Sequence, residues 1–219
     1  MAEIMTFPEA PVREGSALPV TIDDDASPVV RLIGRTLRDS SRIGHAQEVL
    51  GRSAGTVVVR SHDTPQTATI SFDSKAIAVT GGVVIEPAAT VVVDLLARFA
   101  AVGEPSGDVV LAAGILRALT PPLPHWRQAA QNFWSVTREI PGIPDVLIVD
   151  ADGPGGPERQ RFGDGPSEYL IAGQPDVLAG VLSGADDFAA SLAAGLQVKG
   201  TLSQLSVMTA ASWRVRFDV

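Results

Sequence analysis

The chain has 219 residues, 45% of them hydrophobic, and no cysteine. That is enough apolar material for a packed core, and it excludes disulfides, thiol nucleophiles and thiolate metal sites. Twenty-five Asp and Glu against 17 Lys and Arg give a formal net charge of −8, a poor balance for nucleic acid or an anionic lipid surface. The first residues place acids and prolines where a signal peptide needs a basic patch and an apolar run. No stretch reaches the roughly 18 uninterrupted apolar residues of a membrane span. The expected compartment is the cytoplasm.

Residues 1–26, with Pro8, Pro11, Gly15, Pro19 and the acidic run Asp23, Asp24, Asp25, read as an extended or disordered lead-in. Ser27 then Pro28 is an N-cap followed by proline at the first helical position. Val29, Val30, Ile33 and Leu37 recur at helical spacing, so a helix is expected over 28–50, with a weak point at Gly44 and a break near 39–41. Strands are expected at 56–60, 66–72, 75–80, 83–85 and 90–93, from β-branched runs and alternation separated by Asp73-Ser74 and Gly81-Gly82. Alanine- and leucine-rich segments then predict helices at 95–102 and 107–119. The tract Thr120-Pro121-Pro122-Leu123-Pro124 breaks the chain.

The second half opens with an amphipathic helix over 125–140, its apolar side formed by Trp126, Ala129, Ala130, Phe133, Val136 and Ile140. Strands at 145–149, 158–162 and 168–171 follow, then helices at 175–182 and 186–194, a strand at 196–199 and a helix at 201–211. Each half thus runs helix, short strands, two short helices. A glycine spacing points the same way: Gly103 lies eleven residues before Gly114, and Gly184 eleven before Gly195. Internal duplication is the expectation. It divides the chain into the lead-in 1–26 and modules at 27–122 and 123–219; a single fused sheet is the alternative.

Residues 168–205 carry Gly173, Leu178, Leu182, Gly184, Asp187, Gly195, Leu196, Val198 and Gly200. In that succession the stretch resembles the sterol carrier protein 2 family. It departs at Thr201, where the family has an acidic residue, and the match over 28–140 is looser. The resemblance implies an α+β fold in which an antiparallel sheet of short strands carries helices on one face, here in two modules. It also implies non-enzymatic binding or transfer of a fatty acyl chain, sterol or related lipid, without a cofactor. The alternatives are an interaction module, pairing with itself or docking on an enzyme, and an accessory subunit of an enzyme of lipid or steroid metabolism. The better-matched C-terminal module is the expected ligand site. Its helices supply Leu178, Val181, Leu182, Phe188 and Leu192 at three- and four-residue spacing, the sheet supplies Tyr169, Ile171 and Val198, and the last helix region supplies Leu205, Met208 and Trp213.

Other motifs are weak. Gly51-Arg52-Ser53-Ala54-Gly55 has the pattern of a nucleophile elbow, but a helix precedes it and a strand follows, the reverse of what that elbow needs. Asp150-Ala151-Asp152-Gly153 begins like a calcium loop and then meets Pro154 and Arg161 where acceptors belong. Gly153-Pro154-Gly155-Gly156 follows a strand, but no helix opens after it to hold a phosphate. His45, His62 and His125 are too far apart in sequence for a local metal pair. Trp126, Phe133 and Trp134 share one side of a helix and read first as core. No catalytic or metal-ligating residue is expected.

Overall fold

The computed structural model describes residues 18–52, 54–73, 75–83 and 86–218. These form an α+β protein with two open mixed sheets and seven helices. In chain order the first half contains β1 (Val20–Ile22), α1 (Pro28–Arg42), α2 (Gln47–Leu50), β2 (Ala54–Ser61), β3 (Thr67–Asp73), β4 (Ala76–Gly81), β5 (Ala89–Asp94), β6 (Ala100–Ala101), β7 (Ser106–Gly107) and α3 (Val109–Ala118). The second contains α4 (Trp126–Thr137), β8 (Val146–Gly153), β9 (Gly156–Gly163), β10 (Glu168–Gly173), α5 (Pro175–Leu182), α6 (Phe188–Ala193), β11 (Gln197–Lys199) and α7 (Leu202–Phe217).

The first sheet runs β1-β4-β3-β2-β5-β6, with β7 also on β5. Its centre is β2, where Val57, Val58 and Val59 are all buried. A strand buried on both faces needs a neighbour on each side. The β2–β3–β4 meander supplies one antiparallel neighbour, and β5 returns parallel on the other side, pairing Val59 with Val91. The second sheet runs β11-β10-β8-β9: β8 and β9 form a hairpin closed at Pro154-Gly155, and β10 returns parallel to β8. The expectation of antiparallel sheets is therefore corrected. Local alternation marks a strand but carries no record of which neighbour it will meet. In both sheets a hairpin is followed by a parallel return on the far side of its first strand, then by a short antiparallel strand.

Each sheet has its own apolar cluster. The first joins Val29, Val30, Ile33 and Leu37 of α1, Val49 and Leu50 of α2, and Leu111 and Ile115 of α3 to Val57, Val59, Ile70, Ile77 and Val91. The second joins Trp126, Ala130 and Phe133 of α4 and Leu178, Val181 and Leu182 of α5 to Leu147, Val149 and Ile171. The last helix bridges them, with Met208 and Ala211 in the second cluster and Phe217 packed on the first.

Several sequence expectations shift for identifiable reasons. Part of the lead-in is a strand: β1 pairs parallel with β4, and α1 lies so close over it that a Cβ at Gly34 would stand 2.6 Å from Ile22 Cγ2. Residues 1–17 lie outside the described residues. The break in the first helix falls after Arg42, around Gly44 (φ +70°), while Ser40 stays helical and donates its hydroxyl to Ala118 O. Val83 is not in a strand, and 84–85 lie outside the described residues.

The helix expected over 95–102 is a turn followed by β6. The Asp94 carboxylate accepts from the backbone N–H groups of Leu96 (2.8 Å) and Ala97 (3.1 Å), which captures the donors where a helix would start. Arg98 and Phe99 then enter the left-handed region. The helices α3, α4 and α6 sit close to their expected ranges and α5 matches 175–182, whereas α7 runs to Phe217, six residues past the expected end at 211.

The glycine spacing does not mark equivalent positions. Gly103 and Gly184 both have positive φ, but Gly114 lies inside α3 against Val49, whereas Gly195 follows α6 at φ +107°. Thr201, the residue that departs from the family pattern, caps α7 in a reciprocal box with Gln204.

Gly184 and Gly195 give a matched test. Alanine at Gly195 meets nothing within 4 Å, so it is expected to cost only the roughly 1–2 kcal/mol of left-handed backbone. Alanine at Gly184 (φ +75°) also puts Cβ 2.8 Å from Arg216 Cα and is expected to cost clearly more. Urea denaturation of both variants checks the order.

Candidate functional site

Between the two halves lies a cleft of about 910 Å³, within the range of small-molecule sites. One wall is α1, with Arg35, Thr36, Asp39 and Arg42, continuing to Ile43. The 97–100 turn and the 119–124 connection form another, and α4, the end of α5 and Val215 of α7 complete it. Phe99, Leu119, Leu123, Ala129, Phe133 and Leu182 give the interior its apolar character. Ile43 and Val136 are half-exposed at the cleft.

The sequence builds this space in three steps. The proline tract 121–124 cannot continue α3, so it carries the chain across as a stiff connection. His125, whose ring accepts from Arg127 N–H, caps α4, and the turn of Ala129 and Phe133 is presented to the cleft. The Asp94 turn forces Arg98 and Phe99 to φ +51° and +61°. That conformation is costly for side chains larger than glycine, and it places both residues on the wall.

Arginines hold the two halves together here. Arg35 Nη1 donates to Asp39 Oδ2 (2.9 Å) and, across the chain, to Ser183 O (2.8 Å). Arg98 makes a two-pronged pair with Asp186 (2.6 and 2.5 Å). Arg216, buried in α7, donates to Gly184 O, Ala185 O and Leu95 O at 3.1, 2.7 and 3.0 Å. Burial lowers the proton affinity of Arg35 and Arg216, whereas hydrogen bonding to Asp186 raises that of Arg98. The Nε of Arg35 is buried and has no partner among the described residues.

The residues expected to line a lipid tunnel lie mostly elsewhere. Tyr169, Ile171, Leu178, Val181, Leu182, Phe188 and Met208 are buried against one another in the second cluster, with Leu192, Val198 and Leu205 packed on it. Trp213 is half-exposed and outside that cluster. Leu182 alone of the eleven also borders the cleft. Arg35, Asp39, Arg42, Arg98 and Phe99 escaped the sequence reading. The Arg35-Asp39-Arg42 spacing was visible, but on a helix it looks like any solvated charged face.

The weak motifs stay weak. Gly51 follows α2, and Gly55 lies in β2. His45 Nε2 is 2.9 Å from Arg117 O. Asp150 pairs with Arg159. Among the described residues no group of three or more His, Asp or Glu could hold a metal, and no helix is long and apolar enough to cross a membrane. Compared with known proteins, the chain matches no family model, no curated protein and no solved structure.

Tyr169 is the only tyrosine, and its hydroxyl is buried without a partner among the described residues. Burial pushes its phenol up to about 12. The fold therefore favours the neutral form. That contribution to stability is complete below the ordinary value of 10.0 and is lost as pH rises through about 12. Phenolate absorbance is expected to rise near pH 12 in the folded protein and near pH 10 in urea.

Proposed function

We propose that the protein binds an apolar small molecule, such as a fatty acyl chain, sterol or related lipid, without transforming it, and that the ligand sits in the cleft between the halves. The observation that carries this reading is the cleft itself: about 910 Å³, walled largely by apolar side chains from both halves. Pockets for such ligands need apolar walls and a few placed polar groups. The interior of the second half, where the sequence reading set the ligand, is occupied by its own side chains, including Tyr169, Phe188 and Met208. The fold part of the proposal is a tandem pair of sterol-carrier-like modules. It is supported by the helix opening each half, α1 and α4, and by the shared succession of hairpin, parallel return and short antiparallel strand. In this pairing β1, β4 and β7 have no counterpart in the second sheet, and α5 and α6 have none in the first half.

Titration with the fluorescent fatty acid cis-parinaric acid and the fluorescent sterol dehydroergosterol tests the proposal. Saturable binding of at least one is expected. Val136→Trp, at a half-exposed cleft position, is expected to weaken binding and leave the unfolding midpoint unchanged. Phe188→Trp overpacks the second core and is expected to cost about 1–3 kcal/mol of stability with little change in affinity. Absence of saturable binding to either probe overturns the reading. Binding weakened by Phe188→Trp but not by Val136→Trp moves the ligand into the second core.

A further inference from the structure

The charges around the cleft do not balance, and the imbalance runs against the whole chain. The protein is acidic, with a formal net charge of −8, yet the cleft is lined by Arg35, Arg42 and Arg98 with Asp39 as its one carboxylate. Asp186, just outside the lining, is fully engaged by Arg98 in a two-pronged pair. Asp39 then serves two arginines: Oδ2 accepts from Arg35 at 2.9 Å and Oδ1 from Arg42 at 3.0 Å. Three guanidinium groups thus face two carboxylates. Behind them, Arg216 adds a buried charge held by three carbonyl oxygens. Outside the lining, Asp218 is paired with Arg38 and also acts on Arg35, while Asp176 and Asp187 act on Arg98 and Arg216 without bonding to them.

The unmatched charge has a location. Arg35 is the deepest of the three lining arginines, its side chain 12% exposed. Its Nη1 is spent on Asp39 and Ser183 O, and its Nε has no partner among the described residues. That nitrogen is covered by protein, but the Arg35 side chain still borders the cleft, and a carboxylate is the group that a guanidinium recognises best.

Building on the reading that an apolar molecule occupies this cleft, we propose that the ligand is an amphipathic anion. A carboxylate pairs with Arg35, supported by Arg42, and the aliphatic body lies along Ile43, Leu123 and Val136, lining side chains that stay accessible. Uncharged lipids of the same shape leave the arginine unpaired and bind more weakly.

The test compares cis-parinaric acid with its methyl ester at pH 8, where the acid is ionised and the chains are otherwise identical. The wild-type protein is expected to bind the acid about tenfold or more tightly, the scale of a charge-assisted hydrogen bond. Arg35→Gln is expected to abolish that preference by weakening the acid alone. Because Arg35 also ties α1 to Ser183, two further variants keep the test decisive should Arg35→Gln fail to fold. Arg42→Gln, at an exposed side chain, releases Asp39 to neutralise Arg35 and is expected to shrink the preference. Asp39→Asn removes the competing carboxylate and is expected to widen it, an increase that a merely structural role would not produce. Equal binding of acid and ester overturns this inference and leaves the apolar-ligand reading standing. A preference for the acid that is unmoved by Arg42→Gln and Asp39→Asn places the anion elsewhere and overturns it too. Saturable binding of neither acid, ester nor dehydroergosterol removes both.

Discussion

The four residues that follow α5 hold the molecule in one piece. Ser183, Gly184 and Ala185 offer their carbonyl oxygens, and Asp186 its carboxylate, to arginines from α1, the 97–100 turn and α7. The end of a helix is where carbonyls lack intrahelical partners and where the backbone dipole is negative, so cations are well placed there. The turn is itself braced by Asp186 N–H on Gly180 O (2.9 Å). Gly184 is required because the α7 backbone at Arg216 passes against it. These contacts hold α1 and α4 at a separation that leaves the cleft between them open.

That construction also explains why the cleft is polar on one side and apolar on the other. Arg35 reaches Ser183 with one terminal nitrogen and cannot satisfy the rest of its head group in the same direction. The apolar side comes from the outer edges of both cores, Leu119 of the first and Phe133 of the second, with Leu123 on the connection between them. Burial and charge meet there because two separately cored halves are drawn together at their rims.

Much of the local structure was legible in the sequence. Pro175 at the first helical position and the Leu178, Val181, Leu182 spacing define α5 because helix start and buried stripe are both written locally. The meander of β2, β3 and β4 is equally local. The parallel pairings of β5 with β2 and β10 with β8 were not legible, since they depend on which side of a central strand is free. At 95–102 a helical composition was overruled by one side chain, Asp94, acting on two backbone donors. The cleft was hidden for a related reason. Arg35 sits on a helix face, and its burial is decided by the segment after α5, nearly 150 residues further on; nothing near α1 announces that contact.

That no fifth strand lies beyond β9 among the described residues bears on how the protein behaves in crowded solution. β9 pairs with β8 along its full eight residues and has no neighbour on its other side among the described residues, so its outer backbone donors and acceptors form an open template for another chain's strand. The border strands β1, β6 and β11 are two or three residues long and offer little to copy. On β9, Glu158, Arg159 and Arg161 stand at consecutive or alternate positions, and each is tethered by an opposite charge: Arg127, Asp150 and Glu168. Fixed charges of both signs along the longest open border make a second molecule's approach in register unfavourable. The ion pairs on that strand add little to folding because they are exposed; charged side chains along an open edge are the usual guard against edge-to-edge pairing.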